Sequence, residues 1–245
     1  MEIIDDVHFP SRGDAPPVTL HGKLHRYADD RRRPSVLLCH PSSAGEAHYN
    51  HPIMRKLVAV LSEEGFNLLR FNMRGIAPST GEISQGLHEP DDVRGALDFF
   101  GQVPTIDPDR LYLVGHSFGA AMGLKVASED ERVKAGIALG FPLRGLDMSI
   151  PGAPRRYRCD HEETREQIRS WNKPKVFITG EKDQSGPIGP MLGYFQSLVG
   201  TKTFIIVGES DHYFGQGTKR NLDHPWLVEA AEHVRRTLAR WATPA

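Results

Sequence analysis

Two rhythms of apolar and polar residues alternate along this chain. Short, near-continuous apolar runs recur at 35–39 (Ser-Val-Leu-Leu-Cys), 67–71, 111–114, 135–139, 175–179 and 203–207. Such runs read as strands buried on both faces. Between them the apolar residues take helical spacing. Met54, Leu57, Val58 and Leu61 follow Pro52 in a first turn, and Gly65 ends that helix. Glu89-Pro90-Asp91-Asp92 opens a second helix with acids where the macrodipole favours them, and Val93, Leu97 and Phe100 mark its buried side. Further helices are expected over Ala120 to Ala127, from about His161 to Trp171, around Pro190 to Val199, and from Pro225, with Leu227, Ala231, Val234, Leu238 and Trp241 on one face. Residues 1–34 read as polar and turn-rich. Within them only Val18 to His25 alternates with period two, as antiparallel strands exposed on one side do. Strands alternating with helices predict an α/β fold, a mostly parallel central sheet with helices on both faces. No repeat, low-complexity tract or linker divides residues 1–245, so a single domain is expected, with the irregular stretch 143–173 as a small cap.

In sheets of this kind the chemistry gathers beyond the carboxyl ends of the strands. His40, Ser117, Asp183 and His212 each fall just after a predicted strand. The serine lies in Gly115-His116-Ser117-Phe118-Gly119, between an apolar strand and helix-forming residues. That is a G-x-S-x-G motif in the strand–turn–helix context of a nucleophile elbow. A serine hydroxyl is a weak nucleophile and needs an exposed, tight turn, and the glycines remove side chains that would collide there. His212 is expected to accept the Ser117 proton and return it to the leaving group, while Asp183 orients the imidazole. Glu181 and Asp211 compete for the acid role. Asp183 is preferred, three positions past Gly180 and free to turn back toward His212, whereas Asp211 is too close in sequence and is expected to shape the loop. The N–H of Phe118 is one oxyanion donor; Ser42, with Ser43 next in line, supplies the other. Ser43, His116 and His40 are assigned to the substrate-binding side, His116 packing beside the nucleophile and His40 bracing its loop.

On these residues the chain resembles the α/β-hydrolases over nearly its whole length. More narrowly it resembles the small, lid-poor bacterial members related to dienelactone hydrolases and prolyl-oligopeptidase-like esterases. The resemblance rests on His40-Pro41, on Arg70-Phe71-Asn72-Met73-Arg74-Gly75 and on the Ser117 elbow, with Ser117, Asp183 and His212 in the family's chain order. Two stretches depart from it, Ser42-Ser43-Ala44-Gly45 and Gly75-Ile76-Ala77, and both border the pocket. The resemblance implies an α/β-hydrolase fold with a short insertion between the sixth and seventh strands. The reaction expected is hydrolysis of a small ester or thioester through an acyl-Ser117 intermediate, without a cofactor. Acyl transfer, lactonisation or cyclisation, and C–C hydrolysis use the same machinery, and a non-catalytic ligand-binding protein keeps the same fold.

Composition narrows the partners. The 30 basic residues balance 31 acidic ones, for a net charge of -1, which argues against nucleic-acid or membrane-surface binding. Two cysteines, Cys39 and Cys159, form no disulfide or zinc pattern. No apolar run reaches the ~18 residues of a membrane span, and the acids among residues 1–9 are unlike a signal peptide. The expectation is a soluble cytoplasmic protein acting on a small molecule, with a homodimer left open. No metal is expected. His48 and His51 open a helix as capping or pocket-wall residues, and His161-Glu162-Glu163-Thr164-Arg165 lacks the second histidine of a zinc-protease motif. Arg144, Arg155, Arg156 and Arg158 are read as a solvated surface, with an anionic substrate as the alternative.

Overall fold

The computed structural model describes residues 2–13, 18–41, 48–150, 157–215 and 221–243. Eight strands form one sheet in the order β1-β2-β4-β3-β5-β6-β7-β8. They are β1 (Glu2–Pro10), β2 (Thr19–Tyr27), β3 (Arg33–Cys39), β4 (Asn67–Asn72), β5 (Ile106–His116), β6 (Val133–Leu139), β7 (Lys175–Gly180) and β8 (Lys202–Val207). β1, β2 and β4 pair antiparallel, and β4 through β8 are joined by parallel ladders. This is the mostly parallel sheet that the alternating pattern predicts, in the α/β-hydrolase form that the resemblance implies.

The helices are α1 (Pro52–Glu63), α2 (Glu89–Gly101), α3 (Phe118–Glu129), α4 (Leu143–Leu146), α5 (His161–Ser170), α6 (Ile188–Ser197) and α7 (Pro225–Ala242). They bury two separate apolar clusters, one on each face of the sheet. One joins α1 and α7 to the sheet through Leu57, Leu61, Leu227, Val234 and Leu238. The other joins α2, α3 and α5 through Val93, Leu97, Leu124 and Ile168. The central strands face both clusters. In β5, Leu111 and Leu113 turn to one and Tyr112 and Val114 to the other, which is why the run reads as continuously apolar.

One element departs from expectation. β1 is a full strand in a stretch expected to be turns. Its inner row, Ile3, Asp5, Val7 and Phe9, contains an acid, and its outer row contains Ile4, 54% exposed. That mixture blurs the period-two signal; Asp5 is accommodated because Arg26 on β2 donates to it at 2.6 Å. Within 143–173, residues 151–156 lie outside the described residues. α5 packs on α3 and sends Ile168 into the core beside it, with Trp171 following. Among the described residues no helix is long and apolar enough to cross a membrane.

Candidate active site

The turn after β5 is built around Ser117, whose φ of 52° lies in the region that favours glycine. Such a backbone costs on the order of 1–3 kcal/mol and persists only where the surroundings fix it. Here they do. The Ser117 N–H donates to Leu139 O of β6 at 2.9 Å, and the Ser117 carbonyl accepts from Ala120 and Ala121 as α3 begins. A Cβ on Gly115 would stand 2.5 Å from Gly119 O, and one on Gly119 would strike the carbonyls of Cys39 and His40. The motif's glycines are therefore demanded by close backbone approach. Phe118 is the first residue of α3, so its N–H has no intrahelical acceptor and lies at the positive end of the helix dipole.

Asp183 and His212 arrive on the loops after β7 and β8. Backbone bonds continue the ladder past both strands, Glu181 N–H to Val207 O at 3.0 Å and Lys182 N–H to Ser210 O at 2.8 Å. The Asp183 carboxylate accepts from His212 Nδ1 at 2.9 Å to either oxygen, and from the N–H groups of Ser185 (2.7 Å) and Gly186 (3.1 Å). Its side chain is fully enclosed. With Nδ1–H donating to Asp183, Nε2 of His212 is the acceptor, and Ser117 Oγ lies 2.8 Å from it. Ser117 and His212 keep 7% and 9% of their surface, so these two, and not Asp183, can meet a substrate. Asp211 forms a turn in which its Oδ1 accepts from the N–H groups of Tyr213 and Gly215.

His40 and His116 do not line an open wall. They are 1% and 0% exposed, and each ring is tied to backbone. His40 Nδ1–H donates to Pro41 O at 2.6 Å and Nε2 accepts from the Met73 N–H at 3.1 Å, so it joins the loops after β3 and β4. Burial lowers its pKa to about 4 and keeps it neutral. His116 Nε2 lies 2.9 Å from the carbonyl oxygen of His212. Both histidines brace the site from within, because burial leaves them no face toward a ligand. Ser42 and Ser43, expected at the oxyanion and substrate positions, lie outside the described residues. So do Arg155 and Arg156; Arg144 is half-buried and Arg158 exposed.

Two contributors escaped the sequence reading. Gly140, with φ of 50°, lies where a Cβ would come within 3.2 Å of the His212 ring. Tyr157 packs on Phe118 with ring centres 5.2 Å apart. A separate cavity of about 520 Å³, lined by Leu143, Arg165 and Tyr194 among others, includes none of Ser117, His212 or Asp183. His51 caps α1, accepting from the Ile53 N–H. Among the described residues no cluster of three metal-ligating side chains occurs.

Fold and site together define an α/β-hydrolase. The model of the alpha/beta hydrolase fold matches residues 34–188, and the chain belongs to that family. Among curated relatives, an uncharacterised Mycobacterium tuberculosis protein is 27% identical over 230 residues, covering 84% of this chain and 79% of its own length. An uncharacterised Rickettsia prowazekii protein is 28% identical over 46% of this chain, which spans about half (47%) of that protein. A polyketide transferase of Penicillium crustosum is 27% identical, covering 72% of this chain and 59% of the relative. Among solved structures, a Xanthomonas campestris serine hydrolase without a lid superposes with a TM-score of 0.71 at 20% identity, over 99% of this chain and 96% of that one. A Pyrococcus furiosus esterase gives 0.75 at 19%, over 98% and 93%. At these identities the structural likeness establishes the fold alone.

Proposed function

We propose that this chain is a serine hydrolase that cleaves a carboxylic ester or thioester through an acyl-Ser117 intermediate. The observation that carries the reading is the unbroken line from Asp183 through His212 to Ser117 Oγ, with hydrogen-bond distances of 2.9 and 2.8 Å. His212 Nε2 takes the Ser117 proton as Oγ bonds to the substrate carbonyl carbon. The carbonyl oxygen becomes an oxyanion facing the Phe118 N–H. Collapse of this intermediate breaks the bond to the leaving alcohol or thiol, which carries away the proton held on His212. Water then enters, gives a proton to His212, and releases the acid and free Ser117. Asp183 stabilises the imidazolium in both halves.

A second reading is acyl transfer, favoured by likeness to a polyketide transferase. In it the acyl group on Ser117 passes to an acceptor hydroxyl or amine instead of water.

Fluorophosphonate labelling with peptide mapping, on wild type and Ser117→Ala, tests the first step. One adduct on Ser117, absent from the variant, is expected; no adduct on folded wild-type protein would overturn the reading. Product analysis with short-chain thioesters, in water with and without a competing alcohol, then separates hydrolysis from transfer.

A further inference from the structure

Beside the line of Ser117, His212 and Asp183 runs a second histidine contact that the acyl-serine cycle does not use. His116 immediately precedes the nucleophile. Its Nε2 meets the backbone carbonyl of His212, 96 residues further along the chain. A carbonyl oxygen only accepts, so the proton sits on Nε2 and Nδ1 is left as an acceptor. That Nδ1 is buried and has no hydrogen-bond partner among the described residues. Complete burial holds the ring's pKa well below its ordinary 6.5, and the neighbouring His212 and His51 push in the same direction. The ring is neutral.

This position is expensive for the fold. An orphaned buried acceptor is destabilising. The ring is packed among other rings: His212 at 5.2 Å between centres, His51 and Tyr213 at 5.9 Å and Phe214 at 6.2 Å. An aliphatic side chain would fill the same space without the unmet Nδ1, at the cost of leaving the His212 carbonyl unmet. What histidine provides there, and an aliphatic residue does not, is the donor to the His212 carbonyl.

That carbonyl matters because of where His212 hangs. Its loop follows β8, an edge strand paired only with β7. The loop's backbone tie to the acid loop, Lys182 N–H to Ser210 O, secures it against Asp183. The His116 contact secures it against β5, the strand that carries Ser117. We infer that His116 is a positioning residue: its Nε2–H fixes the His212 backbone, and through it the imidazole, at hydrogen-bonding distance from Ser117 Oγ. The inference rests on the acyl-serine reading and adds to it the residue that registers base against nucleophile.

The test is a set of three substitutions assayed on p-nitrophenyl acetate, with thermal unfolding recorded in parallel. His116→Gln keeps a donor at the Nε2 position. His116→Asn places its amide near Nδ1 and leaves the His212 carbonyl unmet. His116→Leu removes both polar groups. We expect Leu and Asn to lower kcat by about 10- to 100-fold, the range that a small misplacement of reacting groups produces. KM should change little. Gln should retain most of kcat, and Leu, which exchanges one unmet acceptor for another, should unfold near the wild-type temperature. Retained kcat in Leu, equal losses in Leu and Gln, or a loss in Leu that tracks a fall in melting temperature would each overturn the inference. A wild type inert toward both ester and fluorophosphonate would overturn the acyl-serine reading itself. An active wild type whose Leu and Gln variants fall alike would overturn this inference alone.

Discussion

The Cα of Gly180 lies so close to the loop after β8 that a Cβ on it would stand 2.5 Å from the carbonyl oxygen of Ser210 and 2.5 Å from that of Asp211. The acid loop and the base loop meet because residue 180 has no side chain. Its contact is with backbone, which cannot rotate away. Gly180→Ala should therefore push the two loops apart, at about 1–3 kcal/mol of stability as overpacking costs. It should lower kcat by about 100-fold, since Asp183 and His212 separate. Steady-state kinetics and urea unfolding of the variant check both numbers. Wild-type kcat in Gly180→Ala would mean that the loops can shift without losing their register.

Asp183 does two jobs, holding the His212 ring and closing its own loop through the Ser185 and Gly186 N–H groups. Asp183→Asn keeps one acceptor oxygen for the loop but loses the charge opposite the imidazolium and can favour the wrong tautomer of His212. A fall in kcat of about 10³- to 10⁴-fold is expected, with little change in the circular dichroism spectrum. The pairing of kcat with the spectrum is the measurement, because Asp183→Ala would confound chemistry with loop collapse.

Stability should fall as pH is lowered through the range where free histidine titrates. Burial lowers the pKa of His40 and His51 to about 4 and holds His116 well below 6.5. Each stays neutral in the fold and takes a proton on unfolding below 6.5. The unfolded state then binds more protons, so the stability contributed by neutrality is complete above pH 6.5 and is lost as pH falls toward 4. Each such group adds up to about 1.4 kcal/mol per pH unit to the slope. Guanidinium unfolding at several pH values between 7 and 4.5 should give a slope well above one proton, reduced by about one proton in His40→Gln. A flat profile would mean that these rings are protonated in the native state.

Arg74 and Asp92 form a buried pair, 5% and 0% exposed at their side chains, with Nη2 to Oδ1 at 2.8 Å. Asp92 also accepts from the Arg74 N–H at 2.8 Å, and Arg74 donates to Ser11. The pair fastens the turn after β4 to α2. Burial of the carboxylate raises its pKa despite the guanidinium beside it. Asp92→Ala takes the carboxylate away from the buried Arg74 guanidinium and should destabilise the fold by up to about 3–5 kcal/mol, measured by chemical denaturation. Activity per folded molecule should be largely kept, since neither group reaches Ser117.

How much of this was legible beforehand follows from what each signal depends on. The sheet was legible because its central strands are apolar on both faces, and the positions of Ser117, Asp183 and His212 because each falls in the loop after an apolar run, His212 after the edge strand β8. β1 was not, because Asp5 sits in the inner row and is accommodated by Arg26, a diagonal neighbour that the register with β2 places beside it. The short α4 lay in the irregular stretch after β6 and carries no helical pattern of its own. His40 and His116 were assigned to the substrate side as packing and bracing residues, and both are buried with their rings tied to backbone. Nothing local distinguishes a histidine that binds a distant carbonyl from one that faces solvent. The weight carried by Gly180 was equally hidden, since the carbonyls it admits belong to residues 210 and 211.

The separation of 95 positions between Ser117 and His212 also has a consequence in time. During synthesis the elbow leaves the ribosome well before the base does. At ordinary elongation rates, 95 residues take roughly 5 to 20 s. Through that interval the serine is an unassisted hydroxyl on a partly built sheet. On the acyl-serine reading, Ser117 gains its base only after β8 has paired with β7, so a nascent chain would carry an inert site until that strand is in place.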